Sequence, residues 1–79
     1  MKTVYILRSE SDSSKHYTGI AEDFAARLLA HNGGQCLHTS KHMPWRPMVQ
    51  IRFEDDVKAN AFERYLKSGS GRAFAKKHF

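Results

Sequence analysis

The chain has one cysteine, Cys36, so no internal disulfide can staple it, and 79 residues must be held together by packing or by a bound ligand. This absence suits a reducing compartment. Proline is nearly as scarce, with only Pro44 and Pro47, so the bar on regular interior structure falls on one short segment. No run approaches the roughly 20 apolar residues that span a bilayer. Met1-Lys2-Thr3 leads directly into strand-like sequence, without the basic, apolar and cleavage sections of a secretory leader. The expectation is one domain over residues 1–79 of a cytoplasmic protein with no membrane association.

Acidic residues are absent from the stretch between Asp23 and Glu54, where Arg27, Lys41, Arg46 and Arg52 lie, and again after Glu63, where Arg64, Lys67, Arg72, Lys76 and Lys77 follow. Thirteen Lys and Arg against eight Asp and Glu leave a formal charge of +5. Such a surplus favours a polyanionic partner, nucleic acid first, although a solvated face would have the same composition.

What is present reads as alternating short elements. Thr3-Val4-Tyr5-Ile6-Leu7 is β-branched and aromatic, and Ser9 to Ser14 forms a polar turn cluster before a second strand from His16 to Ile20. So short a connection implies an antiparallel hairpin. Glu22 and Asp23 precede a run of helix formers, Phe24 to His31, which Asn32-Gly33-Gly34 stops. At about 100° per residue, Phe24, Ala25 and Leu28 form its buried stripe, with Arg27 and His31 together at the border. Residues 33–47, rich in Gly, His and Pro, read as a long loop. Met48 to Phe53 alternates apolar and polar as a half-buried strand.

A second helix spans 57–68, with Ala59, Phe62 and Leu66 inward and Glu63 and Lys67 beside them; Gly69 ends it. A short last helix starts near Ser70. The class is α+β: a three-stranded antiparallel sheet flanked by helices, in the order ββαβα plus a short C-terminal helix.

The chain has Val4-Tyr5-Ile6, then Tyr17-Thr18-Gly19, then Arg27 and His31, then Ala61-Phe62-Glu63 on the later helix. In that order and spacing it resembles the GIY-YIG nuclease domain, over residues 2–77. Pro44-Trp45 before the third strand and Leu66-Lys67 after Glu63 match as well, as in the small stand-alone bacterial members. The resemblance implies hydrolysis of a DNA phosphodiester assisted by one divalent ion, Mg²⁺ or Mn²⁺. It assigns Tyr17 as the acceptor of the attacking water's proton and Arg27 as the group facing the phosphoryl oxygens. Glu63 is the protein ligand of the metal, His31 a hydrogen-bond partner or relay, and Tyr5 a group that positions Tyr17 or water.

These residue types suit the reaction, which needs an activated water, a cation on the phosphoryl oxygens and help for the leaving oxygen. Lys41, Arg46, Lys67, Arg72 and Lys76 are the expected phosphate contacts. Two positions depart from the pattern: Thr3 replaces a glycine, and Ile20 replaces a lysine that some members carry. They keep open an alternative, a nucleic-acid-binding module of the same fold that cleaves weakly or not at all.

Simpler readings exist for each feature. Tyr5 and Tyr17 are also what paired strand aromatics look like, and Glu63 with Lys67 what an ordinary helix pair looks like. Trp45 between prolines suits a core anchor as well as a stacking platform for bases. His31, Cys36, His38 and His42 have zinc-ligand types, but their spacing follows no standard finger.

Overall fold

The computed structural model describes residues 1–79. Three strands, β1 (Lys2–Ser9), β2 (His16–Ala21) and β3 (Trp45–Phe53), form one antiparallel sheet in the order β2-β1-β3. α1 (Phe24–Asn32) follows β2, and α2 (Asp56–Lys67) and α3 (Gly69–His78) follow β3. The expected α+β class and element order hold.

β1 is central because it is apolar in both registers: Val4, Tyr5, Ile6 and Leu7 are all buried, as a strand covered on both faces requires. Val4 and Ile6 pack with Ala59 and Leu66 under α2 and α3. Tyr5 and Leu7 pack on the opposite face with Ala21 and Trp45, adjoined by Phe24 and Leu28 of α1. Each of the large aliphatic and phenylalanine side chains among them contributes about 1.5–3 kcal/mol by leaving water.

The hairpin turn is closed by its own side chains. Ser9 Oγ accepts from the amides of Ser11 and Asp12 and donates to the carbonyl of His42, while Asp12 accepts from Ser14. The last of the Ser9 bonds ties the turn to the 33–44 loop.

Four local expectations change. The 33–47 segment is not all loop: Ser40–His42 form a 3₁₀ turn, and β3 begins at Trp45 and includes Pro47. β3 is an edge strand, and Pro47 stands where the register with β1 shifts between Ile6 and Leu7, so its missing N–H costs little. On α1, Ala25 is exposed and His31 is the fully buried residue, because the sheet contacts only one narrow stripe of this short helix. Gly69 does not simply end a helix, for it is the first residue of α3, which runs ten residues.

Ser68 serves both ends of that junction. Its amide and hydroxyl donate to the carbonyl of Tyr65, and its Oγ accepts from the amide of Gly71. A side chain at Gly71 would run into the Tyr65 carbonyl, so glycine lets α3 turn back onto α2.

Candidate active site

Cross-strand partners share a face, so the pairs Tyr5–Gly19 and Leu7–Tyr17 put both tyrosines on the α1 side of the sheet. Their ring centroids are 6.4 Å apart. Gly19 makes this possible. A Cβ there would overlap the Tyr5 hydroxyl, lie 2.6 Å from Tyr5 Cζ and 3.0 Å from Tyr17 Cε2. The glycine of Tyr17-Thr18-Gly19 is therefore a seat for the Tyr5 phenol.

Asp23 caps α1 by accepting from the amide of Ala26, and the helix delivers Arg27 and His31 to the tyrosines. The His31 ring lies 4.9 Å from that of Tyr17, and its Nε2 is 3.0 Å from the Tyr5 hydroxyl. Its Nδ1 is 2.8 Å from Thr39 Oγ1. Burial pushes the Tyr5 pKa up to about 12; Tyr17 adds to the rise and Arg27 opposes it. His31 is lowered from its ordinary value, by burial first and by the Arg27 charge second. At neutral pH both rings are uncharged. Tyr17 is half-buried, and its hydroxyl is free of the Tyr5–His31–Thr39 hydrogen bonds.

The loop after α1 is fastened at this site. Trp45 Nε1 donates to the Thr39 carbonyl at 2.8 Å, and Asn32 clamps the Trp45 backbone through both its amide N and its carbonyl O. With 4% of its surface exposed, Trp45 is an anchor, and stacking on bases is ruled out.

Tyr17 also borders a groove of about 1060 Å³ between the start of β2 and the α2–α3 pair. Lys15, Lys67, Arg72 and Lys76 stand along it, and no Asp or Glu belongs to its lining. Three of the expected phosphate contacts, Lys67, Arg72 and Lys76, thus converge on one surface. Lys41 and Arg46 are exposed but lie outside this groove.

The structure gathers Tyr5, Tyr17, Arg27 and His31. Glu63 stands apart, on α2 across the sheet, and reaches the groove only through Lys67, whose Nζ is 2.6 Å from Glu63 Oε2. No three His, Cys, Asp or Glu side chains gather at a possible metal position. This removes the zinc reading, in which His31 already has both ring nitrogens engaged. A single carboxylate does fit Mg²⁺, which keeps most of its waters and takes one or two protein oxygens. Only Oε2 of Glu63 is held by the lysine, and its side chain is 14% exposed.

The sequence assigns Thr39, Asn32 and Gly19 no part in building the site. Gly19 was visible as a motif glycine, while Thr39 and Asn32 carry no local signal, because their partners lie 8 and 13 residues away.

Comparison with protein families matches residues 1–77 to the model described as the GIY-YIG catalytic domain. Searches of curated proteins and of solved structures return no match.

Proposed function

Because the chain belongs to the family of GIY-YIG catalytic domains, matched over residues 1–77, we propose that it binds DNA along the groove beside Tyr17 and cleaves it weakly or not at all. One observation carries this reading: four cations, and no Asp or Glu, line a groove that Tyr17 borders. Phosphates suit such a surface, and their binding there is tolerant of sequence. Weak cleavage is supported by Lys67, whose ammonium is paired with the carboxylate that a divalent ion would need.

The second reading is a metal-dependent endonuclease, and the tyrosine cluster favours it. Tyr17, with its hydroxyl unengaged by the buried hydrogen bonds, would act in its phenolate form, taking the proton of the attacking water as the water oxygen bonds to phosphorus and the bond from phosphorus to the leaving 3′ oxygen breaks. Arg27, whose charge already acts on Tyr5 and His31, offers a planar fork to the phosphoryl oxygens. Tyr5 and His31 hold these two groups in place. Glu63 is the residue that would hold Mg²⁺ or Mn²⁺, and the bound ion supplies positive charge for the leaving oxygen.

The two readings separate when labelled single-stranded, double-stranded and branched DNA is incubated with the protein and Mg²⁺, Mn²⁺ or EDTA, beside Tyr17→Phe and Glu63→Ala. Binding without products supports the first. Cleavage that needs metal and falls at least 100-fold in both variants, a typical size for general-base or electrostatic groups, supports the second. Equal cleavage by all three proteins would remove the assigned site, and no DNA binding at all would remove both readings.

A further inference from the structure

We propose that Thr39 is a positioning residue that fixes His31 in its Nδ1-protonated form, so that the Tyr5 hydroxyl donates to Nε2 and turns its lone pairs toward Arg27. The observation behind it is a line of buried groups: Tyr5 Oη, His31 Nε2 and Nδ1, Thr39 Oγ1 and the Cys36 carbonyl, separated by 3.0, 2.8 and 3.3 Å at the hydrogen bonds. Tyr5 and Thr39 are 0% exposed and His31 is 1% exposed, so water is not available as a substitute partner.

Three protonation states of His31 are conceivable, and the hydrogen count excludes two. If Nε2 carries the proton, it donates to Tyr5, and the phenolic O–H is left with no acceptor. Arg27 beside it cannot help, since a guanidinium only donates. If both nitrogens carry protons, the same phenolic hydrogen is stranded, and a second cation is buried next to Arg27. A buried donor without a partner costs about 1–3 kcal/mol. With the proton on Nδ1, every group is satisfied. Tyr5 donates to Nε2, Nδ1–H donates to Thr39 Oγ1, and the Thr39 hydroxyl donates to the Cys36 carbonyl. The neutral state of both rings agrees with the directions of their pKa shifts.

The consequence reaches Arg27. With its hydrogen committed to His31, the Tyr5 oxygen keeps its lone pairs for the Arg27 guanidinium, whose charge acts on it. Thr39 does this from a loop that Trp45 pins through the Thr39 carbonyl. Other charged or titratable groups facing Tyr5 are Tyr17 and Cys36, and neither accepts its proton in the hydrogen bonds present. The link from Arg27 to bound DNA rests on the function proposed above; the proton position does not.

Nitrogen-15 NMR of the imidazoles in the labelled full chain tests the first part. Wild type and Thr39→Ser are expected to show His31 with Nδ1 protonated and Nε2 bare at neutral pH, and Thr39→Val to lose that pattern. An Nε2-protonated His31 in wild type overturns the proposal, and so does an unchanged pattern in Thr39→Val. Should the valine variant fail to fold, the wild-type and serine spectra still decide.

Affinity for labelled DNA tests the second part. Thr39→Val is expected to bind about tenfold more weakly, the scale of one misplaced hydrogen bond to a charged group, with serine restoring affinity. The loss should vanish in an Arg27→Ala background. A loss that persists in full there overturns the Arg27 link. Absence of DNA binding by wild type with the expected His31 pattern refutes the proposed function and also ends the Arg27 link, while the proton assignment stands.

Discussion

Tyr5 joins the core to the site: its ring packs with Leu7, Ala21 and Trp45, and its hydroxyl reaches His31. This double use depends on one residue with no side chain. Gly19→Ala is expected to lower stability by about 1–3 kcal/mol, the usual cost of overpacking, because the new methyl group overlaps the phenol. It should also displace the hydroxyl from Nε2. Denaturant unfolding with the His31 imidazole spectrum checks both; full stability with an unmoved ring would contradict the geometry. In the sequence the tyrosines, Arg27 and His31 were legible as a spaced set. That His31 would be the buried residue of α1 was not, because a histidine beside Leu28 reads as a border position until Tyr5 and Thr39 supply its two partners.

Among the elements, α1 carries the most chemistry on the least packing. It has nine residues, Leu29 is 75% exposed, and its anchors are Phe24, Leu28 and His31. So short a helix is marginal by itself, which makes its cap matter. Asp23→Ala is expected to cost about 1 kcal/mol, while Asp23→Asn keeps most of that stability, as measured by the denaturation midpoint. Equal midpoints for the alanine variant and wild type would show that the cap contributes nothing. The alternation from Met48 to Phe53 and the stripe of Ala59, Phe62 and Leu66 were legible, since period 2 and period 3.6 are imposed by covered faces. The start of β3 was not. Pro47 suggests loop by its chemistry, and only the edge position and the register shift admit it to the sheet.

For the whole molecule, charge is the main feature. Of thirteen Lys and Arg, only Lys67 has a carboxylate within 4.0 Å. The surplus was legible in the sequence, but its convergence was not, because Lys15 comes from the hairpin turn and Arg72 and Lys76 from α3. No helix is long and apolar enough to cross a membrane.

The most direct measurement of the central claim is the affinity for a short labelled duplex at increasing salt, for wild type and for Lys76→Ala. With Lys15, Arg72 and Lys76 contacting phosphates and Lys67 retained by Glu63, the log–log slope should be about −2.7, or roughly a 40-fold loss from 50 to 200 mM salt. The variant should reduce that slope by about 0.9. A slope near zero, or one that Lys76→Ala leaves unchanged, would contradict DNA binding along this groove.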